Sequence, residues 1–334
     1  MHRFFISLVL LCASFSFAPQ LTSAVTIAWS PVGNSGNAAD TTVMNDGTTG
    51  YGAVHYAYNI GTYDVTASQY VEFLNAKDSS GANTLGLYNT NMSQPAIAGI
   101  SFNASNANGT KYGVISERGN HPANYITWYN AIRFANWLNN GQGNGDTETG
   151  AYTLLGGTPT PSNGNSITRN AGATIFLPNE NEWHKAAYYN PGTSSYFKYP
   201  TSSDTTPTPS SPTTTPNSAN YSNLPDRLTD VGAYSGTTSP YGAFDLGGNV
   251  WQWNENLFNG PFRGMRGGGF SSPSVNLLSS NRGNSFLPSG ESSTDIGFRL
   301  ASVSEPSSMA LAAMAGLFGL TTAARRKRHR VASH

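Results

Sequence analysis

A single cysteine, Cys12, in a chain of 334 residues decides how the rest can be held together. It lies inside an apolar N-terminal run, so the polypeptide from Val25 onward has none. No disulfide can staple that polypeptide, no thiolate can bind a metal there, and no cysteine can act as a nucleophile. Burial and hydrogen bonding alone must hold it, as one large domain or two small ones.

The run around Cys12 has a recognisable order. Met1, His2 and Arg3 give a positive start, Phe4 to Ala18 is apolar or small, and Thr22-Ser23-Ala24 offers small residues for a signal peptidase. That order predicts a secretory signal over residues 1–24, too short to persist as a membrane span. The opposite end carries Met309 to Ala324 without a charge, followed at once by Arg325, Arg326, Lys327, Arg328 and Arg330. As a helix the apolar run reaches roughly 24 Å at about 1.5 Å per residue, which snorkelling arginines on the cytoplasmic side extend towards a membrane span. With Glu305-Pro306 ahead of it, the segment 303–334 resembles a PEP-CTERM sorting signal of Gram-negative bacteria. The resemblance implies removal by an exosortase-type membrane enzyme during delivery to the surface. Ser304 stands where that signal usually has proline. The chain is thus expected to be exported to the cell surface or matrix, touching membrane only through helix 309–324 before processing.

Loss of both ends changes the charge. Between Val25 and Ser304 twelve Lys and Arg face seventeen Asp and Glu, a net of about −5. An acidic surface excludes nucleic acid, whose binding rests on phosphate neutralisation. Charged residues make up only 11% of the chain, and Gly, Ser, Thr and Asn take their place, as suits a loop-rich exported domain.

Helical spacing is confined to a few segments. Thr66 to Asn75 opens with a capping Thr and repeats Tyr70, Phe73 and Leu74; Trp128 to Leu138 places Ile132, Phe134, Ala135 and Leu138 on one side. Asn179 to Tyr188 carries Glu182 as a capping-box residue behind Asn179. Elsewhere short β-prone runs alternate with Gly, Asn and Ser, so the expected class is α+β, loop-rich, with few helices. The Ser/Thr/Pro-rich stretch 200–216 reads as a surface insertion within one domain over 25–302, rather than as a domain boundary.

Five segments then appear in order. They are Tyr63-Asp64-Val65-Thr66 with Gln69-Tyr70; His121-Pro122-Ala123-Asn124-Tyr125-Ile126-Thr127-Trp128; Leu177-Pro178-Asn179-Glu180-Asn181-Glu182-Trp183; Gly248-Asn249-Val250-Trp251-Gln252-Trp253; and Arg266-Gly267-Gly268-Gly269-Phe270 with Gly297-Phe298-Arg299. Together they resemble the formylglycine-generating enzyme, or sulfatase-modifying factor, family across a core of 55–301. The resemblance implies a variant of the C-type lectin fold. Read by themselves, the tryptophans and glycines are fold-maintaining, and Arg299 is expected to bridge a carboxylate such as Glu180 or Glu182.

Active members of that family hold copper(I) on two cysteines between the last two motifs and oxidise a substrate cysteine to formylglycine. Here those positions fall near Leu277 and Arg282, and neither supplies a soft ligand for copper(I). Cysteine oxidation is therefore not expected, and copper is not an expected cofactor. His121 and His184 are the histidines within the motifs, with no HxxH or HxxxE spacing beside them. Iron-dependent relatives use a separate histidine-bearing N-terminal domain, for which no room is expected before residue 55. The family commonly carries structural calcium. Carried over by position, Asp245, Gly248, Val250 and Gln252 make one set of oxygen ligands, and Asn220, Tyr221, Asp226 and Leu228 a second. The leading expectation is a non-catalytic surface module binding exopolysaccharide or protein. An enzyme with altered chemistry around Arg282 and a structural coat component are the alternatives.

Overall fold

The structure, a computed structural model, describes residues 24–303 except 95, 259, 284–286 and 290–292. The expected signal up to residue 23 and the sorting tail from residue 304 lie outside the described residues. Among the described residues no helix is long and apolar enough to cross a membrane.

Three α-helices form where the spacing predicts them, and side chains set their starts. In α1, Ala67–Lys77, the Thr66 N–H donates to Gln69 Oε1 at 2.9 Å while the Gln69 N–H donates to Thr66 Oγ1 at 3.3 Å. In α3, Glu180–Tyr188, the Asn179 N–H donates to Glu182 Oε2 at 2.6 Å and the Glu182 N–H to Asn179 Oδ1 at 2.9 Å. Each reciprocal pair satisfies two amides that a helix start otherwise leaves without partners. Helix α2, Trp128–Asn139, starts on Thr127, whose hydroxyl accepts from the Asn130 N–H at 3.1 Å.

The strands are short and mostly antiparallel. Tyr58–Gly61 lies between Trp29–Val32 and Ala301–Ser302, and Ala301 also faces Phe176 of the edge strand Ile175–Phe176. The chain's two described ends thereby meet in one four-stranded sheet. A second sheet centres on Trp251–Leu257, antiparallel to Arg263–Arg266 and parallel to Ile296–Gly297.

The core is aromatic where α1 and α2 pack. Phe134 sits 5.3 Å from Phe73, 5.4 Å from Phe298 and 5.6 Å from Trp137, ring centre to ring centre, and all four rings are buried. Tilted and edge-on contacts of this kind add to the area they bury.

Outside that core the chain is loops, and buried arginines satisfy their carbonyls. Arg263 donates to the carbonyls of Glu255, Gly164 and Ile167; Arg133 to those of Thr158 and Pro159; Arg266 to those of Ser279 and Asn281. The stretch 200–216 is tied down too, by the strand Thr208–Pro209 paired parallel with Ser218–Ala219 and by the Tyr234 hydroxyl donating to Ser210 O at 2.7 Å. Gly248, at φ +86°, lets two of these loops touch: a Cβ there would lie 2.2 Å from Asn220 O, so only glycine fits.

Phe134→Ala is expected to lower unfolding stability by about 3–5 kcal/mol. Urea denaturation checks this as a lower midpoint at unchanged slope.

Candidate functional site

Helix α3 gathers most of the buried charge. Glu180, in its first turn, is gripped from one side by Arg282, whose Nε and Nη2 lie 2.6 and 2.5 Å from the two carboxylate oxygens. From the other side Arg266 Nε donates at 3.0 Å. Arg282 also pairs with Asp46 and lies 4.8 Å from the Tyr51 ring centre and 4.4 Å from that of Phe258. Its backbone is fixed as well, because Asn45 accepts from the Arg282 N–H at 3.1 Å and donates to Arg282 O at 3.2 Å. Burial pushes the Glu180 carboxyl up, but the two guanidinium groups more than offset it and hold the group below the usual carboxylate range.

The two positions carried over from the family's cysteines are thus filled differently. Arg282 is a buried cation in a closed ion-pair cluster. Leu277 is fully buried in a small apolar cluster with Tyr199, Ala219 and Tyr221, and its carbonyl accepts from the Tyr188 hydroxyl at 3.1 Å.

One turn along α3, His184 is completely buried. Its Nε2 lies 3.0 Å from Asp40 Oδ2, and the rings of Tyr188 and Tyr196 stand 4.9 and 5.4 Å away. Burial lowers the imidazole to about 4, against the pull of Asp40, so the ring is neutral at pH 7. Asp40, Asp46 and Tyr51 come from residues ahead of the 55–301 core read from the motifs. No short-range pattern links them to α3; only the fold does.

The expectation that Arg299 bridges Glu180 or Glu182 is corrected by the structure. Glu182 is bound instead by Arg169, at 2.8 and 3.0 Å, which also grips Glu255 at 2.6 and 2.7 Å. Arg299 follows the strand Ile296–Gly297 and reaches the other way. It donates to Gly61 O, Phe244 O and Gln252 Oε1 at 2.7, 2.8 and 2.7 Å and stands 3.2 Å from Asp64. Neither Asp64 oxygen makes a directed hydrogen bond, and burial pushes this carboxyl up to about 8 despite the nearby guanidinium.

The calcium sets differ in how their oxygens are used. In the first, Gln252 Oε1 accepts from Trp183 Nε1 at 2.8 Å as well as from Arg299, so it does not fit as a cation ligand beside that guanidinium. Asp245 Oδ2 accepts from the Gly232 N–H at 2.6 Å, and burial raises this carboxyl to about 6. Gly248 donates its N–H to Gly267 O at 2.9 Å, and Val250 is buried beside Leu228 and Phe270. In the second set, Asn220 Nδ2 donates to Arg227 O, Thr229 Oγ1 and Asn249 Oδ1, while its Oδ1 is buried with no hydrogen bond. Such an oxygen suits a hard cation. Tyr221 O accepts from the Leu224 N–H at 3.2 Å, Leu228 is buried and Asp226 is exposed. Among the described residues no three His, Cys, Asp or Glu side chains converge as metal ligands.

Comparison with known proteins places this architecture. The family model of the sulfatase-modifying factor enzyme 1-like domain matches residues 34–303. The chain belongs to that family. Its fold is the loop-rich α+β, formylglycine-generating-enzyme-like variant of the C-type lectin fold. Variable protein 1 of Treponema denticola superposes with a TM-score of 0.54 at 19% identity, covering 84% of this chain and 96% of that one. CarF does so at 0.52 and 19%, covering 84% and 99%. A hercynine oxygenase of Mycobacterium tuberculosis is 30% identical over 120 residues, 30% of this chain and 26% of that protein. The match thus spans about a quarter of that curated relative's length.

The buried imidazole gives a pH dependence with a definite sign. Below pH 6.5 the unfolded chain takes up a proton that native His184 refuses down to about pH 4, so the part of the stability that depends on His184 falls across that window on acidification, while the raised carboxyls of Asp64 and Asp245 act in the opposite sense. The expected loss from His184 alone is roughly 3 kcal/mol. Urea melts of the parent and of His184→Gln at pH 7 and pH 4.5 check it: the parent is expected to lose about that much more stability on acidification than the variant does.

Proposed function

We propose that this chain is an exported, surface-delivered and non-catalytic member of its family, which binds saccharide or a surface protein. The observation that carries the reading is Arg282. Near where the resemblance puts a copper-binding thiolate of active relatives, this chain buries a guanidinium bidentate on Glu180, and a cation in that cluster repels copper(I). Leu277, the other such position, is closed in apolar packing.

Export rests on the sequence of the two ends. The positive start, apolar run and small residues of 1–24 suit a signal peptidase; Glu305-Pro306, the apolar 309–324 and the arginine cluster suit an exosortase-type enzyme. The local likeness to a hercynine oxygenase spans too little of that protein to bring its activity here. Within the second calcium set, the unpartnered Asn220 oxygen supports a structural calcium held with Tyr221, Asp226 and Leu228.

Incubated with copper(I), oxygen and a thiol peptide, the protein is expected to leave the peptide unoxidised; formylglycine in the product sinks the non-catalytic reading. Pulldown with the producing cell's exopolysaccharide, with and without calcium, tests the saccharide reading, which fails if nothing is retained in either condition. Millimolar calcium is expected to raise Tm by a few degrees through preferential binding to the native state. Asp226→Ala, a change at an exposed carboxylate, is expected to remove that rise.

A further inference from the structure

Away from α3, residues 116–121 face residues 225–233 across a cleft of about 420 Å³. A second hollow of about 280 Å³ shares Glu117, His121, Arg227 and Leu228 with it. The two chain segments are locked together by the Val231 N–H donating to Asn120 O at 2.9 Å.

Two charged side chains here, Arg227 and Glu117, are free, unlike the arginines elsewhere. Among the described residues every other arginine guanidinium is held by a hydrogen bond, whereas exposed Arg227 makes none. Arg118 lines the smaller hollow beside it, with one nitrogen on Ala98 O at 2.7 Å and the rest of its fork uncommitted. The exposed Glu117 carboxylate also has no partner among the described residues, although it shares the cleft with Arg227. Glu117 is held at φ +64°, a region that L-residues with long side chains seldom occupy. His121 Nε2 lies 3.6 Å from Asp230 Oδ1, too far for a firm hydrogen bond, and His121 Nδ1 is buried without a partner.

Opposite charges that share a cleft without pairing fit a ligand with a matching group for each. Two neighbouring guanidinium forks suit a planar carboxylate. A carboxylate accepts two O–H donors at once, so Glu117 and Asp230 suit adjacent hydroxyls, with His121 Nε2 beside Asp230. Pro212, Pro225 and Leu228 add an apolar wall for the C–H face of a ring. We propose that this cleft binds a saccharide bearing a carboxylate, a uronate unit, with the acid on Arg118 and Arg227 and the ring hydroxyls on Glu117 and Asp230. The proposal rests on the saccharide reading above and names its site and sugar class.

Titration calorimetry of the protein, with calcium present, uses three probes: tri-galacturonate, the neutral trisaccharide of the same sugar, and triglycine. The uronate is expected to bind at least tenfold tighter than the neutral sugar. Arg227→Ala is expected to weaken it at least tenfold and Glu117→Gln severalfold, with thermal unfolding unchanged because both side chains are exposed. If a sugar binds but Arg227→Ala leaves its affinity alone, the cleft is not the site and the saccharide reading survives. If neither sugar binds the folded protein, the uronate proposal falls, and the saccharide reading stands or falls with the exopolysaccharide pulldown. Triglycine binding that Arg227→Ala abolishes, in place of uronate binding, overturns the assignment to a sugar.

Discussion

Every loop that this fold buries brings backbone carbonyls into a place without water, and a carbonyl there needs a donor. Guanidinium groups supply it. Arg133, Arg263, Arg266 and Arg299 are each almost completely buried, and each reaches at least two carbonyls. With five donors in a fixed fork, one arginine fixes two or three strands of irregular chain at once. The described residues contain no cysteine, so this is the cross-linking available to them, and it explains why a chain poor in charge spends its arginines inside.

Helix α3 joins those arginine-bound loops to one another. Over nine residues it presents Glu180 to Arg266 and Arg282, Glu182 to Arg169, Trp183 to Gln252 and His184 to Asp40. Replacing a buried ion pair as a whole is often harmless, whereas removing one member leaves a charge without compensation. Glu180 has two cations, so its cluster is coupled and single substitutions within it will not add. The arrangement also explains why the segment ahead of residue 55 belongs to the fold: Asp40 and Asp46 are anchored there by α3 and Arg282.

Legibility in the sequence followed interaction range. The starts of α1 and α3 were readable because Thr66 with Gln69, and Asn179 with Glu182, act within one helical turn. The aromatic core around Phe73 and Phe134 was readable from its spacing, and the motif order gave the family. The partner of Arg299 was not readable, because Asp64 and Arg299 are joined only by the fold, and any of several acids satisfies the chemistry on paper. The roles of Asp40 and Asp46 were hidden for the same reason. At the candidate site, the change at Leu277 and Arg282 was visible as a missing ligand type. That Arg282 closes onto Glu180 was not, since a sequence shows which residue is gone and not what the replacement grips.

That grip makes position 282 costly to change. A cysteine placed at 282 would strip Glu180 of its bidentate partner and free the loop that carries Asp46. A cysteine at 277 would open the packing among Tyr199, Ala219 and Tyr221. Each change is damaging by itself, and neither yields a two-thiolate site until the other is made. The ion pair thus sets a stability cost against thiolate chemistry at this place in the fold.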